Sequence, residues 1–183
     1  MKKLIILTVC TFLAFGLFAQ SDLLPDSKSN LWLSAGWGAE DGDISSEVYP
    51  MVSLGMQLEF PQQVFIVRGV YGEHKLFASD YDYRMMKVSG LWGYAISDEF
   101  SSIHFASGVN FSKHREKISQ VIKPNDLNIN SVYHNSYYWG VPLEIGVKVY
   151  VAPKTCIGGT VMFNWDADYF SAGYLVQVHQ QIF

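Results

Sequence analysis

Cysteine is nearly missing from this chain, which holds only Cys10 and Cys156. Cys10 lies in an N-terminal leader, so one thiol would remain after processing and no internal disulfide framework holds the fold. Basic charge is also scarce: 13 Lys and Arg stand against 17 Asp and Glu, a net charge of −4. Such a balance argues against nucleic acid as a partner. Beyond residue 20, no apolar run reaches the ~18–20 residues that a membrane-spanning helix needs. Low-complexity tracts and internal repeats are absent too, which excludes a solenoid. The chain must build from short elements in one domain.

The leader has the expected parts. Lys2 and Lys3 form a positive start, an apolar stretch runs from Leu4 to Phe18, and Phe18-Ala19-Gln20-Ser21 offers small residues for cleavage. The apolar stretch is short for an anchor. Cys10 lies inside it with no small residue before it, so it is not a lipid attachment site. Residues 1–20 therefore read as a secretory signal peptide, 21–30 as a polar periplasmic linker containing Pro25, and 31–183 as the folded domain. Without Lys2 and Lys3 the acidic excess grows.

What is abundant is alternation. Period-two patterning predicts strands over 31–39, 51–60, 64–72, 83–95, 101–114, 136–150, 155–165 and 169–183. In the second, Val52, Leu54, Met56, Leu58 and Phe60 oppose Met51, Ser53, Gly55, Gln57 and Glu59. In the sixth, Trp139, Val141, Leu143, Ile145, Val147 and Val149 oppose Tyr138, Gly140, Pro142, Glu144, Gly146 and Lys148. The first strand is ambiguous, because Trp32 and Trp37 fall on opposite faces. Short connections (61–63, 96–100, 151–154) alternate with longer polar ones (40–50, 73–82, 115–135), broken only by a tight last loop at 166–168. This predicts an all-β fold, an eight-stranded antiparallel transmembrane β-barrel with short periplasmic turns and longer extracellular loops.

Side-chain size decides which face is outside. The polar face is crowded with small residues, among them Ser34, Gly36, Gly38, Ser53, Gly55, Ser89, Gly93, Ala106, Gly108, Gly140, Gly146 and Gly158. A narrow barrel has room inside for little else, so the bulky apolar face points to lipid. Glu59, Lys87, Glu144, Lys148, Gln177 and His179 then meet in the interior, where charges must be paired. Phe60, Phe65, Tyr71, Trp92, Tyr94, Phe111, Trp139, Phe163 and Trp165 fall near strand ends, as interfacial girdles do. Pro142 predicts a local bulge or kink, since a closed barrel has no edge strand. Facing the lumen, Gly146→Ser is expected to be mild unless packing there is tight.

With its leader, its Gly140-Val141-Pro142-Leu143-Glu144-Ile145-Gly146 run and a final strand closing on Phe183, the chain resembles the small outer-membrane β-barrel proteins of Gram-negative bacteria, the OmpA/OmpX-like class. The resemblance implies an outer-membrane location among lipids and lipopolysaccharide. It also implies recognition of Phe183 by the barrel-assembly machinery.

Chemistry is sparse in this reading. Eight strands leave no aqueous channel. Ser112 and His114 share a face, and His104 lies near Ser102 and Ser107, but no acidic orienter follows at a suggestive spacing. No catalytic residue and no bound cofactor is expected. Asp41, Asp43, Asp166 and Asp168 sit at the extracellular ends of the first and seventh strands. They read first as solvated turn residues, and second as carboxylate pairs for Ca²⁺ or Mg²⁺ at the rim. Lys113-His114-Arg115-Glu116-Lys117 reads either as a solvated charge run or as a basic patch for lipopolysaccharide phosphates. The apolar residues beyond it, Ile118 to Tyr133, read as strand extension before partner contact. The expected function is a non-enzymatic outer-membrane protein, structural or surface-interacting. The alternatives are a soluble periplasmic barrel for a small apolar ligand and an outer-membrane lipid-modifying enzyme.

Overall fold

The computed structural model describes residues 29–42, 47–75, 82–118, 132–166 and 170–182. Residues 1–28, where the sequence predicts a signal peptide and a linker, lie outside the described residues, as do Asp43, Asp168 and Phe183. Eight strands follow one another: β1 (Asn30–Gly42), β2 (Glu47–Glu59), β3 (Gln63–Lys75), β4 (Asp82–Ser97), β5 (Ser101–Ile118), β6 (Val132–Ala152), β7 (Thr155–Asp166) and β8 (Phe170–Gln181). Each pairs antiparallel with the next, and β1 pairs with β8, closing the barrel. Closure removes every lateral sheet edge, the condition under which strands can cross lipid with their backbone groups satisfied.

Alternation is kept around the wall. On β7, Cys156, Gly158, Thr160, Met162 and Asn164 turn inward, while Ile157, Val161 and Trp165 are exposed. β8 repeats this with Leu175, Gln177 and His179 inside and Tyr174, Val176 and Val178 outside. The first strand resolves with Trp32 in the lumen at 2% exposure and Trp37 outside at 64%. Two apolar clusters fill the ends of the lumen. Val64, Ile66, Leu91, Ala95 and Ala106 lie toward the short turns, and Tyr49, Met51, Val70, Tyr83, Met85, Met162 and Leu175 toward the long loops.

The structure decides two local expectations. Pro142 carries no bulge. It pairs with Asn164 in regular register, and the β5–β6 register resumes unchanged from Ser107↔Leu143 to Asn110↔Gly140. Proline removes a donor, which costs ladder bonds without requiring an extra residue. The Ser107 hydroxyl donates to the Pro142 carbonyl at 2.8 Å. The register shift lies instead at Tyr150/Ala152, beside the turn into β7. Gly146 is also tighter than a mild Ser substitution allows, because a Cβ there would run into the His104 ring.

The strands run longer than their apolar cores at the long-loop end. β5 and β6 have 18 and 21 residues, against 12 for β7. Their ladder continues to Ile118↔Val132, while β7 has already ended at Asp166 opposite Gly140. The β5–β6 hairpin thus stands above the rim as strand, as far as residues 118 and 132. Val121, Ile122, Leu127 and Ile129 lie outside the described residues.

Candidate functional site

Among the described residues, three ion pairs line the barrel axis. Nearest the short turns, the Lys148 ammonium meets Glu59, which also accepts from Gln57 Nε2 at 2.8 Å. The same ammonium lies 4.9 Å from the Trp32 ring centre, a favourable cation–π position. In the middle, Arg68 forks onto Glu144 through both terminal nitrogens, with Nη2 2.9 Å from Oε1. His104 Nε2 reaches that same carboxylate oxygen at 2.9 Å. Gln177 lies 3.5 Å from Arg68 Nη2 and accepts from Thr160 at 2.9 Å. Nearest the long loops, Lys87 meets Glu40 and lies 3.3 Å from Ser171 Oγ.

All six charged residues are buried. Three carboxylates thus balance three cations in a space with almost no room for water. Desolvation is offset only by this pairing and by the added hydrogen bonds. The cavity beside them, among Arg68, Lys87, Glu144 and Asn164, holds about 10 Å³, room for at most one water. Pairing of Glu59, Glu144, Lys87 and Lys148 follows the expectation from sequence. Arg68 and Glu40 escaped it. Arg68 sits in a segment apolar on both faces (Phe65 and Val67 against Val64, Ile66 and Val70), and Glu40 falls where the sequence predicts a loop.

The serine–histidine groupings have other partners. Ser112 donates to Asp166 Oδ2 at 3.3 Å, whereas His114 Nδ1 contacts the Tyr83 hydroxyl and its ring meets Tyr138 edge-on, with centroids 5.2 Å apart. Ser102 bonds Ser97 at 2.9 Å, and His104 belongs to Glu144. These contacts knit the mouth and floor of the lumen.

The two described rim acids, Asp41 and Asp166, do not share a face. Asp41 is exposed on the outer side of β1, opposite Ala172 of β8, while Asp166 turns inward to Ser112. Among the described residues, no group of three or more His, Cys, Asp or Glu is arranged to hold a metal ion.

On the outside, an apolar band surrounds the barrel. Leu54, Val67, Val88, Val109, Val147 and Val161 are all exposed at mid-strand. Rings gather where the band meets the long-loop end. Phe111, Tyr137 and Trp139 form one group with centroids 5.1–6.0 Å apart, and Phe163, Trp165 and Phe170 form another. A soluble cup for an apolar ligand would have the opposite arrangement, with an apolar lumen and a polar wall.

Solved structures share this architecture. The structure of Ail, the attachment invasion locus protein of Yersinia pestis, in complex with the heparin analogue sucrose octasulfate, superposes with a TM-score of 0.63 at 12% identity, covering 85% of this chain and 99% of that one. Neisserial surface protein A gives 0.63 at 10% identity, with coverage of 85% and 99%. A major outer membrane protein from Thermus thermophilus gives 0.59 at 8% identity, with coverage of 84% and 99%. The fold is that of the small outer-membrane β-barrels. With the apolar band around it, such a barrel belongs in the outer membrane, its short turns periplasmic and its long loops extracellular. No family model matches the sequence, and no curated protein matches it significantly.

Proposed function

We propose that this barrel is a non-enzymatic outer-membrane protein that acts through its extracellular end and not through its lumen. The observation that carries this reading is the neutral, charge-paired interior. A conducting barrel needs a continuous wet path, and here side chains from all parts of the wall interlock across the axis, leaving about 10 Å³ beside the central ion pairs. Ser112 bonded to Asp166, and His114 set against Tyr83, brace the mouth and do not prime a nucleophile. The features left for function are external: the projecting β5–β6 hairpin, the aromatic groups and the charged wall beside them.

Planar-bilayer recording tests the reading. The reconstituted barrel should add no stepwise conductance, whereas reproducible channel steps would overturn it. A lipid-hydrolysis assay on the same preparation should show no turnover, and Ser112-dependent release of fatty acid would favour an enzyme instead.

A further inference from the structure

Alternation carries past the apolar band on β5. The outer-face series Phe105, Val109, Phe111 continues as Lys113, Arg115 and Lys117. Across the ladder these pair with Tyr137, Asn135 and Tyr133 of β6. The Arg115 guanidinium lies 3.9 Å from the Tyr133 ring centre, and the Lys113 ammonium 5.7 Å from that of Tyr137. On the other side, Arg84 of β4 stands directly opposite Arg115, with Glu73 of β3 beyond it, 3.4 Å from the Arg84 Nε. Three cations of β5 and one of β4 therefore stand together on this part of the wall. Like charges placed directly across a strand pair repel. Glu73 offsets part of this at Arg84, and a bound anion would add counter-charge to a face where four cations stand beside that acid.

Height selects the anion. Each two-residue step along a tilted strand climbs roughly 5 Å along the membrane normal. Phe111 and Trp139 mark the top of the apolar band, so Lys113 and Arg115 stand roughly 5–10 Å above it, at the level of lipid headgroups. The distribution is one-sided. At the corresponding ends of β8, β1 and β2 the outward residues are Phe170, Ala172, Trp37, Asp41, Val48 and Pro50, with no cation among them.

We infer that the outer wall bearing Arg84, Lys113, Arg115 and Lys117 seats the phosphates of lipopolysaccharide in the outer leaflet, with its acyl chains lying against Phe111 and Trp139. This rests on the reading of the barrel as an outer-membrane protein working at its extracellular end. Aromatic rings under the cations favour a lipid over a soluble polyanion, because they hold the side chains against the wall at the membrane surface and not out on the loops.

The test uses the full mature barrel in phosphatidylcholine vesicles containing a small fraction of dansyl-labelled, bisphosphorylated lipid A. Energy transfer from tryptophan to dansyl measures lipid A enrichment around the protein. Wild type should enrich bisphosphorylated lipid A well above a dephosphorylated preparation. The triple variant Lys113→Gln, Arg115→Gln, Lys117→Gln should lose roughly 100-fold in apparent affinity, about fivefold per cation. Lys113→Gln alone, at an exposed position, should lose about fivefold and serves if the triple variant does not fold. Equal enrichment by wild type and variants, or no preference for phosphate, overturns the inference. So does tight binding of sucrose octasulfate that Lys113→Gln weakens while lipid A enrichment stays intact, which would make the wall a sulfated-glycan site. Failure of wild type to insert into vesicles at all would instead refute the outer-membrane reading, so the two failures are distinct.

Discussion

The lumen and the outer wall above the lipid band both carry charge, and they handle it in opposite ways. Inside, Glu40, Glu59 and Glu144 are matched one for one by Lys87, Lys148 and Arg68, all buried. On the wall, Arg84, Lys113, Arg115 and Lys117 gather on one side, with Glu73 beside Arg84 and two of the cations over tyrosine rings. The contrast follows from solvent. A charge in a dry interior must find its counter-charge within the chain, whereas a charge at the membrane surface can leave that to lipid, ions or water. Charge matched within the chain belongs to structure here, and on the proposed reading charge gathered by sign serves contact with the surroundings.

Breaking one partner in each region should expose the difference most. Glu144→Ala strands Arg68 and His104 and is expected to cost about 3–5 kcal/mol. Lys113→Ala should stay within about 1 kcal/mol in vesicles without lipopolysaccharide. Urea unfolding in those vesicles measures both, and similar losses would erase the distinction. Ile145→Arg tests the wall lower down, within the lipid band, and should cost about 2–4 kcal/mol. Its neighbour Gly146→Ala should cost about 1–3 kcal/mol by driving His104 off Glu144. Adding His104→Ala should then cost less than the two single losses summed, because the clash is already gone. Simple additivity would show that the ring is not what the new methyl meets.

The smallest effect lies at the periplasmic turn before β5. The Asp98 carboxylate accepts from the backbone N–H of Phe100 at 2.7 Å and of Ser101 at 2.6 Å, and these bonds hold its pKa below the ordinary value. A carboxyl lowered on folding stabilises the fold above its unfolded pKa of about 4, and that contribution is lost as pH falls through the folded value. Asp98→Asn should therefore lower the unfolding midpoint slightly at neutral pH, and the gap to wild type should close in acid. A gap unchanged with pH would assign the effect to the turn's shape and not to its charge.

The eight strands and the short-long rhythm of their connections were legible because alternation is enforced on two sides at once, by lipid outside and by crowding inside. Legibility failed where one side relaxed. Beyond the lipid band, polar residues satisfy both faces, so β1 runs on through Glu40, Asp41 and Gly42, and β3 through Glu73, without any apolar marker. Glu40 was lost to the lumen for that reason. Arg68 was lost for the reverse reason, since one polar group in an apolar segment gives no period. The serine–histidine and aspartate groupings depend on which face a strand end presents, and that is settled by pairing across the barrel. Asp41 and Asp166 consequently part company, one outward and one inward.

Closure also has a price in time. The seam between β1 and β8 is tied by Ile182 N–H to the Leu31 carbonyl at 2.8 Å and by Gln181 to Asn30 at 2.9 Å, partners up to 151 residues apart. Neighbouring strands can zip as local hairpins as soon as both are present, but this seam must wait for the whole wall. Until it closes, the sheet has two open lateral edges, and Gln177 and His179 of β8 are missing from the lumen they help to fill. The half-built barrel is therefore the form most exposed to mispairing with another copy, and the rate of that single last joining sets how long the hazard lasts.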